Sequence, residues 1–270
     1  MLKTRVLTAV ILAAGLLAVL FLLSKMATAA AFALVTAAAA WEWAGLLRLG
    51  GPQRWVYAAL TLAFCAALYA IGMPEMLLSA LWLVALGFWM VVVPLWFRHK
   101  WTLGADAPGL LVGWMLLIPS WAALVSLSAR SPLLLLAALA LIWVADIAAY
   151  FAGRTWGRRK LAPDISPGKT WEGAVGALLG VWLYGFALAL AVGWLQSGRA
   201  VGLLAALALA TVVSIFGDLF ESLAKRQAGV KDSSRLLPGH GGILDRIDSL
   251  TSTLPLLAMA AQFLSGHEGT

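Results

Sequence analysis

The sequence predicts an all-α, polytopic integral membrane protein with about nine transmembrane helices, and three observations carry that reading. The first is composition: 63% of the 270 residues are hydrophobic and 11% charged, where soluble domains run at about 45–50% and about 25%. The second is length: uninterrupted apolar runs of roughly 20 residues, enough to cross a bilayer, recur along the whole chain. The third is the one-sided placement of the basic residues. A mean hydropathy of +0.93 excludes a soluble globule and a disordered chain. The single Cys65 lies in an apolar run, which excludes a disulfide framework and a cysteine metal site. A net charge of +7 would suggest nucleic acid in a soluble protein. Here the positive-inside bias accounts for it, and no nucleic-acid partner is expected.

In chain order the spans are expected at about 6–23, 27–47, 55–71, 75–97, 108–128, 132–152, 171–195, 200–223 and 245–264. The first follows Lys3 and Arg5 and is long for a signal-peptide core, so it reads as a mature helix. Pro94, Pro119 and Pro255 fall inside the fourth, fifth and ninth spans and should kink them. Trp41, Trp43, Trp55, Trp96, Trp101, Trp171 and Trp194 lie near span ends, as an interfacial belt would. With the N-terminus cytoplasmic, only Lys25, Arg130 and Arg199 of the 19 basic residues face the other side. Eight or ten spans would scramble that separation. Residues 1–130 read as a helical N-terminal region. Residues 131–270 read as a catalytic region with two cytoplasmic loops at about 153–170 and 224–244.

Acids inside a bilayer are costly, roughly 2.5–3.5 kcal/mol each on insertion scales, so the few present are informative. Asp146 lies near the cytoplasmic end of the sixth span. Asp218, Glu221, Ser222 and Lys225 stand at helical spacing on one face, as do Asp245, Asp248, Ser249 and Ser252. Two antiparallel helices bring both acid pairs to one mouth, where an oxygen-seeking divalent cation, above all Mg²⁺, would relieve their repulsion. Between them run Lys225, Arg226, Lys231 and Arg235, candidates for holding phosphate oxygens. His240-Gly241-Gly242 follows, where backbone N–H groups can approach an anion closely. Gly168-Lys169-Thr170 tempts a P-loop reading, but Pro163 stands where that pattern needs Gly and no strand is expected before it. What remains is a Lys and a Thr at a helix N-terminus, a favourable place for an anion. Glu42 reads as an interfacial cap or a helix–helix hydrogen-bond partner, and His99 and His267 as solvated.

The stretch from Ser222 to Asp248 resembles the signature of the phosphatidate cytidylyltransferase family. The resemblance rests on Ser222, Lys225, Arg226, Lys231, Asp232, Ser234, Leu237, Pro238, His240, Gly241, Gly242, Asp245, Arg246 and Asp248. It extends upstream through Asp146–Arg154 and Ser166–Gly173, and departs at Ala224, where the family has a larger aliphatic residue. It implies Mg²⁺-dependent transfer of the cytidylyl group of CTP to phosphatidic acid, giving CDP-diacylglycerol and pyrophosphate. It further implies two cation positions, a membrane-lipid environment and a homodimer. On that basis Asp218, Asp245, Asp248 and Asp146 are the expected metal ligands, the first three also catalytic with Lys225. Lys169, Ser222, Arg226, Lys231, Arg235, His240, Gly241, Gly242 and Arg246 are the expected substrate binders. Two other readings stay open: a nucleotide-dependent enzyme acting on an isoprenoid lipid, and a transporter. Against transport stand the clustering of ionisable groups at one face and the lack of an internal repeat.

Overall fold

The computed structural model describes residues 2–193 and 199–266. Trp194, His267 and Glu268 therefore lie outside the described residues. Nine helical rods are present among those described: α1 (Leu2–Leu22), α2 (Lys25–Leu46), α3 (Gly51–Ala70), α4 (Glu75–His99), α5 (Ala107–Arg130), α6 (Pro132–Trp156), α7 (Trp171–Ala191), α8 (Arg199–Ala228) and α9 (Leu244–Gly266). Seven of them are long and apolar enough to cross a membrane. The two outside that set are α3 and α9. The case of α9 has a clear cause. It opens on Asp245, Arg246 and Asp248 and continues through buried Ser249, Thr251, Ser252 and Thr253. Packed against α8, α5 and α4, it meets protein instead of lipid and need not be apolar.

Local chemistry sets the ends. Ser24, Asp106 and Thr170 cap α2, α5 and α7 by accepting from the backbone N–H three residues on. Within α4, Pro94 has no N–H and its ring crowds the preceding turn. The helix absorbs this in a π-turn at Phe88–Val92, where Val93 donates to the carbonyl of Phe88. Further on, α8 extends to Ala228, five residues beyond the expected span, so Lys225 and Arg226 sit on its last turns and not in a loop.

The connection expected as an irregular loop at 153–170 carries a short antiparallel hairpin, β1 (Lys160–Ala162) with β2 (Ser166–Thr170). This corrects the expectation that no strand adjoins Lys169. The P-loop reading stays excluded, because β2 belongs to a two-stranded antiparallel hairpin and Pro163 is unchanged.

The core is aromatic. Trp43, Trp82, Trp89, Trp121 and Phe220 are fully buried. Phe88, Trp89 and Trp96 set their rings edge-on to Phe220 at 5.9, 5.9 and 5.4 Å, fastening α4 to α8. Trp43 and Trp96 are thus core residues and not part of an interfacial belt, their indole N–H groups donating to the carbonyls of Gly109 and Trp101. Trp55, Trp101 and Trp171 are exposed, as a belt requires. By contrast α1 hangs on the outside, with 6% of its apolar stretch buried.

Helix ends rich in basic residues meet at one end of the bundle. Arg48 donates to the carbonyl of Gln227, Arg226 to that of Ile165, and Thr8 to that of Pro238. These contacts gather the start of α1, the end of α2, the hairpin and the α8–α9 connection around one mouth.

Candidate functional site

The mouth is built in two compartments, with α8 as the wall between them. One is an open groove of about 480 Å³ lined by Asp146, Tyr150 and Arg154 of α6, Lys169 and Thr170 of β2, Asp218 of α8 and Ser249 of α9. Its floor is small-residue surface, Ala145, Ala149, Ala174 and Ala177. That surface exists because α6 and α7 pack closely. Gly173, Gly176 and Gly180 of α7 lie against the backbone and methyl groups of Ala148, Ala149 and Ala152, where a Cβ has no room.

Within the groove Lys169 Nζ lies 2.5 Å from Asp218 Oδ2, and Ser222 Oγ donates to Asp218 Oδ1 at 3.3 Å. Asp146 and Asp248 both stand within electrostatic reach of Asp218 and Lys169, and Arg246 within reach of Asp146. The hairpin that delivers Lys169 is held from beneath. Glu172, in the first turn of α7, accepts from the backbone N–H groups of Arg158 and Arg159, and Arg226 braces the far side through Ile165. Arg154, Arg158, Arg159 and Lys160 are exposed around the rim.

The second compartment is a closed polar knot behind α8. Lys225 Nζ is 2.6 Å from Asp245 Oδ1 and 3.3 Å from Glu221 Oε1, with all three side chains nearly excluded from solvent. Asp245 Oδ2 accepts from Gly242 N at 2.7 Å, Ser233 N at 2.9 Å and Ser233 Oγ at 3.0 Å. The glycine run therefore does bring backbone N–H groups to an anion, but that anion is the protein's own Asp245. Gly241 has φ +81°, and a Cβ there would lie 2.6 Å from Asp245 Oδ2.

Sequence spacing put Asp218, Glu221, Asp245 and Asp248 at one mouth, and the structure divides them. Asp146 and Asp218 open on the groove, while Glu221, Lys225 and Asp245 face inward, away from it. Between them stands Asp248, which lines a small closed cavity with Glu221, Trp89 and Thr251. Of the expected phosphate binders, Lys169 alone lines the groove. Lys231, Arg235 and Arg246 are exposed, and His240 is half-buried with its Nδ1 unpartnered among the described residues.

Glu42, read from the sequence as a cap or a helix–helix hydrogen-bond partner, is such a partner, and what the sequence left out is that the segment it holds is the α8–α9 connection at the mouth. It is fully buried and accepts from Ser233 Oγ, Ser234 Oγ, Ile243 N and Leu244 N. An acid within an apolar run of α2 was the available signal, because such a group must be satisfied by something.

Among the described residues no three Asp, Glu, His or Cys side chains converge closely enough to cage a metal ion. Mg²⁺ rarely uses such a cage. One or two carboxylates plus substrate phosphate oxygens is its common mode, and the groove carboxylates suit that chemistry.

The pattern of the Cytidylyltransferase family matches residues 3–264. The chain is 42% identical over 268 residues to a phosphatidate cytidylyltransferase of Pseudomonas aeruginosa, covering 96% of both chains. It is 37% identical over 281 residues to one of Haemophilus influenzae, covering 96% of this chain and 98% of that one. A phosphatidate cytidylyltransferase of Thermotoga maritima is 45% identical over 127 residues, 46% of this chain.

Proposed function

The chain belongs to the cytidylyltransferase family, and from that premise we propose that it transfers the cytidylyl group of CTP to phosphatidic acid, giving CDP-diacylglycerol and pyrophosphate. The observation that carries the reading is the 42% identity sustained over 96% of both chains. The protein is a multi-pass membrane protein, and its bacterial relatives and charge bias support an inner-membrane site with the basic mouth towards the cytoplasm.

The groove suits two substrates of different origin. CTP is a charged solute that reaches the exposed rim, whereas phosphatidic acid stays in the leaflet beside the small-residue floor. A phosphate oxygen of the lipid attacks the α-phosphorus of CTP, and pyrophosphate leaves as the new phosphoanhydride bond forms. That nucleophile is already anionic at neutral pH, so the site needs charge compensation and alignment more than a general base. Lys169 is our choice to supply both, by exchanging Asp218 for a substrate phosphate, and its ion pair with Asp218 in the groove supports that choice. Thr170, Arg154 and Tyr150 line the same wall.

Asp218 and Asp146 are our choice of Mg²⁺ ligands, and Asp248, within electrostatic reach of both, is our choice for a second cation position. When bound, Mg²⁺ neutralises phosphate charge and favours in-line displacement. Asp245 reaches a cation only if Lys225 releases it, since both its oxygens already accept hydrogen bonds. Lys231, Arg235, His240 and Arg246 edge the same mouth as further phosphate contacts. A homodimer belongs to this reading and is read out by cross-linking in native membranes.

Purified protein in detergent, given phosphatidic acid, Mg²⁺ and CTP labelled at the α-phosphate, should move label into lipid. EDTA and Asp218→Asn should each abolish it. Asp218 is the better probe than Asp245, because it lines the groove whereas Asp245 belongs to the buried cluster with Lys225 and Glu221. Label arriving only from the γ-phosphate would mean a lipid kinase and would overturn the assignment.

A further inference from the structure

Glu42 is contributed by α2, far in sequence from the groove, yet its carboxylate organises the connection between α8 and α9. Oε1 accepts from Ser234 Oγ at 2.5 Å and Ile243 N at 2.9 Å, while Oε2 accepts from Leu244 N at 2.7 Å and Ser233 Oγ at 3.1 Å. Both oxygens are used, and four donors are satisfied at once. Two of those donors are the leading N–H groups of α9, which have no partner within the helix and sit at the positive end of its dipole. No basic side chain forms an ion pair with Glu42 among the described residues. Its hydrogen bonds come from the helix terminus and the two serines, and the Arg54 guanidinium stands within electrostatic reach of its charge.

The consequence runs on into the mouth. Ser233 Oγ also lies 3.0 Å from Asp245 Oδ2, and Asp245 holds Lys225. The first turn of α9, anchored by Glu42, carries Asp245 and leads directly to Asp248. A Cβ at Gly242 would lie 2.5 Å from Glu42 Oε1, so the loop passes over the carboxylate with no slack. We infer that Glu42 is a positioning residue for the reaction: it fixes the 229–243 connection and the first turn of α9, and through them Asp248 and the exposed Lys231 and Arg235, where this reading puts the phosphates of CTP. The kinetic part of this inference rests on the function proposed above, whereas its conformational part does not.

Glu42→Gln separates the two. A glutamine has one acceptor oxygen, and its NH₂ group would oppose two of the four donors. In the intact protein in detergent, trypsin should cut after Lys231 and Arg235 about tenfold faster than in the parent, because the anchored connection opens. In the α-labelled CTP assay kcat should fall about ten- to a hundredfold and KM for CTP should rise, with KM for phosphatidic acid unchanged. Glu42→Asp, which keeps the charge on a shorter arm, should recover part of the protection. Ser234→Ala removes a single donor and should shift both readouts the same way by about two- to fivefold. It serves as the test where Glu42→Gln yields no folded protein. Parent-like cleavage, kcat and KM in folded Glu42→Gln, or in Ser234→Ala where only that variant folds, would overturn the inference. If the parent labels no lipid while Glu42→Gln still opens the connection, the proposed reaction fails and the positioning role stands.

Discussion

Lys225 is placed between two carboxylates, Asp245 at 2.6 Å and Glu221 at 3.3 Å, in a setting nearly free of solvent. Each of the three is tolerable because the others are present. An ion pair of this type contributes little beyond a well-packed apolar substitute, yet breaking it by removing one partner costs roughly 3–5 kcal/mol. Asp245 would keep its donors from Gly242 and Ser233, whereas Glu221 has no other partner among the described residues. Lys225→Met should therefore lower the thermal unfolding midpoint in detergent and depress activity together. Lys225→Met with Glu221→Gln should recover much of the stability without the activity, a contrast read by melting and lipid labelling on the same preparations. This residue was legible in the sequence as part of a charged face at helical spacing. Its inward orientation was not, because spacing fixes which residues share a face and leaves open what that face meets.

At the scale of the elements, the close approach of α8 to α9 sets where Asp218 and Asp248 stand relative to each other, and Gly217 permits it. A Cβ there would collide with Ser252 Oγ and come 2.7 Å from the carbonyl of Asp248, so the helices would have to move apart. Gly217→Ala should cost about 1–3 kcal/mol of stability by overpacking, and should lower kcat more than ten-fold because Asp218 and Asp248 are adjacent. Gly202→Ala, near the start of the same helix with nothing within 4 Å of the added carbon, is the matched control and should behave as the parent. Thermal melting with initial rates on both variants checks the pair. The hairpin itself was hidden from sequence reasoning. Its strands are three and five residues long and rich in Pro, Gly and Lys, and they hold together through Glu172 and Arg226, contacts that strand propensity does not encode.

For the whole molecule, the alternation of helices and the gathering of basic ends at one mouth make a testable topology. In a Cys65→Ser background, single cysteines at Asp164 or Lys231 should react with a membrane-impermeant thiol reagent from the cytoplasmic side. A cysteine at Lys25 or Met73 should react only from the opposite side. Inner-membrane vesicles of known orientation provide the measurement. A cysteine at Gly50 should react from the cytoplasmic side, and labelling of the Gly50 and Met73 positions from one side would remove a crossing from the scheme. It would bear on α3, the rod between those two positions and one of the two outside the strongly apolar set.

Composition, hydropathy and the distribution of Lys and Arg are enough to determine an all-α membrane protein with its chemistry at the basic face, since these properties set how each segment partitions between water and lipid. The linear spacing of Asp218, Glu221, Asp245 and Asp248 is enough to mark the helices that carry the site, because the helical repeat fixes shared faces. Tertiary structure alone decided which acids open on the groove and which are spent inside the protein. It also turned the glycine run towards Asp245 and made Glu42, on a distant helix, the anchor of the α8–α9 connection. Those choices depend on how helices rotate against one another to satisfy buried charges, and that balance of desolvation against paired hydrogen bonds exists only once all the partners are in place.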